Sequence, residues 1–341
     1  MAFQLTAANA VGYLSQYRAV DGAAVARLLG GGVSNTVVLV ESDRERVVLK
    51  QSLPQLRVKD EWLADRSRIL RERDAIQALT PILPIGRLPR ILFSVEEDFV
   101  YAMEAAAADA TDWKTRLLEG GCDRETARQA GSMLGLVVRE TWKRDDLQGQ
   151  FGDQTAFEQL RTDAYYRTIA ERHPTIRQLV VDWIEAQRGR RDAMVHGDWS
   201  PKNLLLSGAT LMAIDFECAH FGDPSYDAAF LTNHFILKAF HRRELAAEYL
   251  QLARVAFTWT LGLLPIEALS SFERNTVRHL SFLLLARVDG KSPAEYISDE
   301  STRERVRRCA LGLIAESPAH LTKVFQRVEG ALSNAPQPPR V

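Results

Sequence analysis

The sequence has few cysteines, no long apolar run and almost no net charge. Its three cysteines, Cys122, Cys218 and Cys309, are far apart and odd in number, so they indicate neither a disulfide framework nor a metal cluster, and we expect a reducing compartment. A formal net charge of −1 leaves no basic footprint for nucleic acid or for an anionic membrane. The first residues lack a basic region followed by an apolar core, so we expect a cytoplasmic protein without a secretory signal.

No segment is apolar for long enough to cross a membrane. The most apolar stretch, residues 255–264, contains Thr258 and Thr260 and ends at Pro265, whereas a membrane helix needs about 20 apolar residues. We therefore expect a buried helix there and no membrane partner. Low complexity is confined to the end of the sequence, and we expect residues 331–341 to be disordered.

Two polar segments stand at a defined spacing in the second half of the chain. Residues 195–203 read Val-His-Gly-Asp-Trp-Ser-Pro-Lys-Asn, and residues 214–217 read Ile-Asp-Phe-Glu. Between them, two short apolar runs flank a Ser-Gly pair, a pattern that predicts a hairpin. Such a hairpin would return Asp215 to the side of Asn203.

Asp198, Asn203 and Asp215 have the spacing of a phosphotransferase centre. Phosphoryl transfer needs a base near the acceptor hydroxyl and oxygen ligands for Mg²⁺. We interpret Asp198 as the base and Asn203 and Asp215 as the metal ligands. Glu217 is either a further metal ligand or a solvated carboxylate, and we interpret His196 as structural. The alternatives are structural: a tight turn at His-Gly-Asp and a strand end at Asp215.

A glycine turn near the start of the chain precedes a β-branched strand. Residues 30–35 read Gly-Gly-Gly-Val-Ser-Asn, and the strand follows at residues 36–40. The backbone amides of such a turn can approach phosphates closely, which makes Gly31, Gly32 and Ser34 candidates for binding the nucleotide. The motif is neither a complete Gly-x-Gly-x-x-Gly nor a Walker loop, and a plain hairpin loop is the alternative.

Lys50 ends an apolar strand, as the phosphate-binding lysine of kinases does. Residues 66–79 have helical periodicity and carry Glu72, the natural ion-pair partner for this lysine. The alternative is an ordinary strand-end lysine beside a surface carboxylate. Residues 99–104 predict another strand that leads to a hinge, where adenine would bond to the backbone near Glu104.

With these segments, the sequence resembles a known family, the small-molecule kinases that include aminoglycoside phosphotransferases, choline kinases and methylthioribose kinases. Members commonly have His-Gly-Asp with an asparagine five residues after the aspartate, followed by Asp-x-Glu or Asp-x-Asp. Gly197 stands where protein kinases have arginine, and Glu217 where they have glycine. Over about residues 10–300 this resemblance favours a metabolite kinase and implies ATP and Mg²⁺ as cofactors. It also implies that Asp227 ties the catalytic loop to the next helix.

One region is similar to the methylthioribose kinase branch. Residues 50–58 read Lys-Gln-Ser-Leu-Pro-Gln-Leu-Arg-Val, and Arg68 and Glu72 follow. After Asp198, however, the chain reads Trp-Ser-Pro-Lys-Asn, which is closer to aminoglycoside and choline kinases. We therefore interpret the chain as a neighbouring subfamily that acts on a sugar-like or other polyhydroxy metabolite.

The resemblance and the strand and helix patterns together predict an α+β, bilobal protein-kinase-like fold. Residues 1–103 form the predicted N-lobe, with an antiparallel sheet and one key helix, and residues 104–330 form a larger, mostly helical C-lobe. Nucleotide is expected to bind between the lobes. Helical periodicity in the C-lobe is found at residues 124–144, 157–171, 176–188, 243–260 and 301–316.

The predicted function is ATP-dependent transfer of a phosphoryl group to a hydroxyl of a sugar-like, amino alcohol or aminoglycoside-like metabolite. Candidates for contacting this acceptor are Trp199, His234 and Arg287, each with a structural alternative as a packing, surface or capping residue. Methylthioribose kinase proper and a catalytically silent nucleotide-binding scaffold are the alternative functions. A protein kinase is disfavoured because no Ala-Pro-Glu element follows Asp215. No nucleic-acid partner is expected, and a homodimer is an open alternative to a monomer.

Overall fold

The computed structural model of the protein describes residues 3–20, 23–30, 32, 34–57 and 62–333. Its contacts divide the chain into two compact units. Unit 1 consists of Met1–Ala110 and Leu205–Ala219, and unit 2 consists of Thr111–Leu204 and His220–Val341.

The strands follow one another along both units. In chain order they are β1 (Val25–Leu28), β2 (Asn35–Glu41), β3 (Arg46–Ser52), β4 (Ile91–Val95), β5 (Val100–Glu104), β6 (Thr111–Asp112), β7 (Ala193–Val195), β8 (Leu204–Ser207), β9 (Thr210–Ala213) and β10 (His220–Gly222).

Helices dominate the second half of the chain. They are α1 (Ala7–Leu14), α2 (Arg68–Leu79), α3 (Trp113–Leu118), α4 (Arg124–Thr141), α5 (Asp145–Phe151), α6 (Thr155–Phe157), α7 (Thr168–Arg172) and α8 (Arg177–Arg188). The remaining ones are α9 (Ser225–His241), α10 (Ala246–Leu261), α11 (Ile266–Asp289), α12 (Glu300–Glu316) and α13 (Leu321–Ser333). A π-helical segment, Glu158–Arg167, joins α6 to α7, and short 3₁₀ turns lie at Pro174–Ile176, Pro201–Asn203 and Arg243–Leu245.

Unit 1 is built on an antiparallel sheet with the strand order β1-β2-β3-β5-β4. Because side chains alternate along a strand, Val47 and Leu49 of β3 join a core with α1, whereas Val48 joins a core with Ile69 of α2. Lys50 follows in the register of Val48 and pairs with Tyr101, which belongs to the same α2-side core. The alternation therefore directs Lys50 toward α2.

One face of α2 is buried at helical spacing, and the carboxylate of Glu72 lies on this face. The buried residues are Arg68, Ile69, Glu72, Ala75, Ile76 and Leu79. Such i, i+3, i+4 and i+7 spacing is that of a helix packed on a core. The observed helix begins two residues later than the predicted segment 66–79 and ends at the same residue.

Most of the hairpin β8–β9, from Leu205 on, belongs to unit 1 and is hydrogen-bonded to the segment before β4. Its turn contains Gly208 at a φ of +52°. Arg87 accepts a bond from Ala213 N (2.8 Å) at its carbonyl and donates from Nη1 to Leu211 O (3.1 Å). The predicted boundary at 103/104 therefore differs from the observed division, which ends the first part of unit 1 at Ala110 and returns the chain to it at Leu205.

Unit 2 is organised around α9, which is buried at every residue from Ser225 to Phe240. It packs against α10 and α11, and α10 also packs against α4. The last pair approaches closely at Gly131, where a Cβ atom would lie 2.1 Å from Ala256 O. A side chain at this position would push the helices apart, so glycine is required there.

The helical segments found in the sequence are helical in the structure, with shifted ends. The predicted helix 124–144 ends at Thr141, and the predicted helix 157–171 is mostly the π-helical segment Glu158–Arg167. Of the predicted disordered tail, 331–333 belong to α13 and 334–341 lie outside the described residues. Within the described part of the chain, no helix is long and apolar enough to span a membrane.

Candidate active site

Unit 1 contains a buried ionic centre around Lys50. Its Nζ atom lies 2.8 and 2.7 Å from the two carboxylate oxygens of Glu72 and 2.5 Å from Asp215 Oδ1. Lys50 and Glu72 are 5% and 0% exposed. The structure thus brings together three side chains that the sequence analysis assigned to phosphate and metal binding.

Charge is unbalanced in this centre, since two carboxylates meet one ammonium group. Burial alone would lower the pKa of Lys50, but the carboxylates of Asp215, Glu72 and Glu217 outweigh it and raise that pKa above its ordinary value. Lys50 is therefore held as a cation. Burial raises the pKa of Glu72, against the lowering effect of Lys50.

Asp215 has a left-handed backbone conformation, with a φ of +70°. Aspartate and asparagine tolerate this region better than other residues with a Cβ atom, but it still stores strain. The conformation follows β9 directly and turns the carboxylate onto Lys50.

Glu217 is buried at 4% exposure and is held by three protein donors. Its Oε1 accepts from Ser34 Oγ (2.7 Å), and its Oε2 accepts from Asn35 Nδ2 (2.9 Å) and from Arg68 Nε (3.1 Å). The interpretation as a solvated carboxylate is therefore wrong. Both oxygens are engaged in bracing the segment that contains Ser34, and the role of a further metal ligand stays a prediction without support from this geometry.

The remaining nucleotide-binding candidates of unit 1 have simpler surroundings. Gly31 lies outside the described residues, and Gly32 is exposed. Glu104 is exposed, forms an ion pair with Arg90, and donates its N–H to Arg90 O (2.9 Å). Because Ala105 N–H is also donated, to Arg46 O (3.1 Å), an adenine contact at these two residues would have to use their carbonyl groups.

The predicted catalytic loop of unit 2, residues 195–203, is fixed by hydrogen bonds to a buried carboxylate. Asp227 of α9 accepts from His196 N (2.6 Å) and Gly197 N (2.9 Å), and His196 Nδ1 accepts from Asp198 N (3.1 Å). Gly197 has a φ of +78°, a conformation that favours glycine. Burial raises the pKa of Asp227 to about 7, against the effect of the two N–H donors.

Asp198 is 3% exposed and forms ion pairs with two cations. Its Oδ2 lies 2.9 Å from Arg161 Nη2 and 3.0 Å from Lys202 Nζ. Arg161 also donates from Nε to Gly197 O (2.8 Å). No sequence pattern indicated Arg161, which lies far upstream in the π-helical segment. Lys202 lies in the 3₁₀ turn Pro201–Asn203, four residues after Asp198.

Asn203 ends the turn Pro201–Asn203, where its Nδ2 donates to Asp198 O (3.0 Å). This bond fixes the orientation of the amide and leaves Oδ1 as the acceptor. Asn203 and Asp215 each offer an oxygen atom, the kind of ligand that Mg²⁺ prefers. Among the described residues there is no group of three or more His, Cys, Asp or Glu side chains arranged for a metal, and the metal ligands stay a prediction.

The candidates for acceptor binding are buried in unit 2. Trp199 is 2% exposed and meets the His196 ring edge-on at 5.4 Å, so it packs inside the unit. His234 and Arg287, on α9 and α11, are each 7% exposed. The sequence analysis missed Lys238, which lies one turn after His234 and is 0% exposed.

The model of the phosphotransferase enzyme family (APH) matches residues 25–262. A comparison of the sequence with curated proteins finds no match. Solved structures with a similar fold include an amicoumacin kinase bound to AMP-PNP, Ca²⁺ and Ami, which is 14% identical, with 88% of this chain and 91% of that chain covered and a TM-score of 0.51. A choline/ethanolamine kinase family protein from Mesorhizobium loti is 16% identical, with coverages of 95% and 96% and a TM-score of 0.50.

A spectinomycin phosphotransferase bound to ADP and spectinomycin is 12% identical, with coverages of 95% and 99% and a TM-score of 0.50. These likenesses confirm the predicted α+β, kinase-like fold, with an antiparallel sheet in one unit and a mostly helical second unit. They do not single out the methylthioribose branch. With its family model covering more than half of its length, the chain belongs to the phosphotransferase enzyme family and is a small-molecule kinase.

Proposed function

We propose that this protein transfers the γ-phosphoryl group of ATP to a hydroxyl group of a small metabolite. The observation that carries the proposal is the buried contact of Lys50 with both Glu72 and Asp215. A lysine held as a cation by a helix carboxylate, beside an aspartate that can bind metal, is the phosphate-binding arrangement of protein kinases.

The two predicted metal ligands offer the oxygen atoms that Mg²⁺ prefers, Oδ1 of Asn203 and the carboxylate of Asp215. Lys50 adds a second positive charge for the nucleotide phosphates. Bound Mg²⁺ supplies neutralisation of phosphate charge. Glu217 acts in this proposal through Ser34, by bracing the segment after the glycine turn.

Asp198 receives the proton of the acceptor hydroxyl. The hydroxyl oxygen forms a bond to the γ-phosphorus, the bond from that phosphorus to the bridging oxygen breaks, and ADP leaves with the bond's electron pair. Arg161 and Lys202 hold the Asp198 carboxylate, and Asp227 holds the backbone on which it sits. Arg161 and Asp227 are therefore positioning residues.

The test is Mg²⁺-dependent turnover of ATP with a panel of hydroxyl acceptors, using wild type and Asp198→Asn. We expect turnover to fall at least about 100-fold in the variant, since a general base contributes about 10²–10⁴. Near-ultraviolet circular dichroism of the variant controls for folding. No turnover with any acceptor, together with no difference between the two proteins, would favour a nucleotide-binding scaffold instead, whereas equal measurable turnover would refute Asp198 as the base.

A further inference from the structure

Four cations of unit 2 act electrostatically on His234, and a fifth pairs with Asp198. We define the cationic cluster as Lys114, Arg161, Lys202, Lys238 and Arg287. Three members have carboxylate partners, because Arg161 and Lys202 share Asp198 and Lys114 pairs with Glu295. Lys238 and Arg287 form no ion pair with any residue that the structure describes.

Lys238 is the most buried member of the cationic cluster. It is 0% exposed, yet its Nζ has only the carbonyl oxygen of His234 within reach, at 3.5 Å. The ring of Tyr296 lies 5.1 Å from the same atom. The Tyr296 hydroxyl is also buried, and it has no hydrogen-bond partner among the described residues. Burying an ammonium group without a partner is destabilising.

The electrostatic state of the cluster reflects this surplus of positive charge. Burial lowers the pKa of Lys238 to about 7, and Lys114 and Arg287 contribute, while Glu295 opposes them. Burial also lowers the pKa of His234 well below its ordinary value, together with Lys238 and other cations of the cluster. An added negative charge would relieve both effects.

Arg287 provides a second donor without a complete set of partners. It is 7% exposed, and its Nη1 donates to Ser292 Oγ (3.0 Å) and to Ser292 O. Its Nε is buried and has no partner within the described part of the chain. A buried guanidinium group that lacks a carboxylate is an anion-binding group by its chemistry.

Ring contacts connect these donors to Asp198. The guanidinium carbons of Arg287 and Arg161 each lie 5.9 Å from the centre of the Tyr165 ring, and Arg161 is the partner of Asp198. Tyr165 stacks on Phe230 at 6.0 Å, and Phe230 meets His234 edge-on at 5.0 Å. Tyr165, Phe230 and His234 thus link the unpaired cations to the Arg161–Asp198 pair.

We propose that the acceptor carries an anionic group, a carboxylate or a phosphate, and that Lys238 and Arg287 bind this group. The proposal rests on the proposed function, since it treats this part of unit 2 as the acceptor site. An amino alcohol or an aminoglycoside is a cation at neutral pH and would be repelled by the cationic cluster. A neutral sugar such as methylthioribose would leave Lys238 without a counter-charge.

The first experiment measures anion binding without nucleotide. Sodium sulfate and sodium acetate are titrated at constant ionic strength against chloride, with the melting temperature and tryptophan fluorescence as readouts. Sulfate represents a phosphate group and acetate a carboxylate group. The variants are Lys238→Met and Arg287→Gln, and the control is Arg274→Met, an exposed cation on the same helix as Arg287 that is bonded only to Ser270 O.

We expect at least one of the two anions to stabilise wild type and Arg274→Met equally. Its Kd should rise at least tenfold in each cluster variant, as for the loss of a charge-assisted hydrogen bond. Tighter binding of sulfate would indicate that the acceptor's anionic group is a phosphate, and tighter binding of acetate would indicate a carboxylate. Absence of stabilisation beyond that by chloride, or equal stabilisation of all four proteins, would refute the proposal. Competition by Mg-ADP would also refute it, by placing the anion at the nucleotide phosphates.

The second experiment tests how the charge of the acceptor affects turnover, using compounds that share one carbon skeleton. Gluconate, glucitol, glucamine and glucitol 6-phosphate are offered as acceptors with Mg-ATP. We expect turnover only with an anionic member, and we expect Lys238→Met to raise its KM at least tenfold while the KM for ATP is unchanged. Turnover of glucamine alone would refute the anionic acceptor. If no compound is turned over while cluster-dependent anion binding persists, the proposed function fails and the anion site stands.

Discussion

Replacing Lys238 by methionine should make the fold more stable. Methionine has a similar length and fills irregular apolar spaces well, so the change removes the charge and keeps the volume. Lys238 has a pKa of about 7 in the fold against an ordinary value of 10.5. At pH 7 this difference corresponds to about 4 kcal/mol of lost stability, because a tenfold change in an equilibrium is worth about 1.4 kcal/mol.

The gain should depend on pH in a defined direction. Between pH 7 and pH 10.5 the unfolded chain holds a proton on this lysine that the folded chain has released, so wild-type stability rises with pH. The methionine variant lacks this rise, and its advantage should shrink from pH 7 to pH 10. Two buried neighbours titrate outside the window, because the pKa of His234 is lowered and that of Tyr296 is raised. Position 238 is surrounded in both proteins by the same charged groups, which are Lys114, Arg287, Glu295 and Asp112.

Thermal unfolding followed by tryptophan fluorescence is the appropriate assay, because five of the six tryptophans lie in unit 2. For a unit of this size, 1 kcal/mol shifts the Tm by about 2–4 °C, so we expect a rise of more than about 4 °C at pH 7. Arg274→Met should leave the Tm within about 1 °C, as an exposed substitution does. A less stable Lys238→Met, or a Tm difference independent of pH, would contradict the reasoning.

Three further substitutions test how the site is held. Arg161→Gln should lower kcat about 10- to 100-fold at unchanged KM for ATP, and Arg161→Lys should restore part of it; a normal kcat in the glutamine variant would exclude a positioning role. Glu217→Gln breaks a buried ion pair, so the free energy of unfolding measured by denaturation should fall by about 3 kcal/mol. If the Mg²⁺ dependence of turnover is unaltered in this variant, Glu217 braces the segment of Ser34 and does not bind the metal. Gly197→Ala should lower the free energy of unfolding by about 1–2 kcal/mol and abolish most activity. Gly208 also has a positive φ, so Gly208→Ala should lower stability by a similar amount but keep full activity.

Local patterns in the sequence were sufficient to predict the contact of Lys50 with Glu72 in unit 1. The alternation in β3 and the 3.6-residue period of α2 each determine which way a side chain points, so Lys50 and Glu72 could be expected to meet. Asp215 could be placed by the hairpin before it. The surroundings of Glu217 could not be predicted, because its three donors come from β2, the segment before it and α2, which only the fold brings together.

The buried charged residues of unit 2 could not be predicted from a helical pattern. α9 is buried on all sides from Ser225 to Phe240, with polar residues among the apolar ones, so no amphipathic period sets Lys238 apart. A single lysine inside such a run was the available signal, since full burial of lysine is rare unless it is paired. Arg161 lies in a π-helical segment, whose side-chain period differs from the one used to assign faces.

The cations of unit 2 that pair with Asp198 and those without a carboxylate partner would contribute to catalysis in different ways. Arg161 and Lys202 both pair with Oδ2 of the Asp198 carboxylate and so fix its direction. A loose phosphoryl-transfer transition state needs little proton abstraction until late, so orientation is the more useful contribution. Lys238 and Arg287 cannot serve this purpose, because they do not contact Asp198 in the described structure. On our proposal, the burial of the Lys238 ammonium group without a counter-charge is relieved when an anion binds, so an acceptor that brings its own negative charge would be favoured.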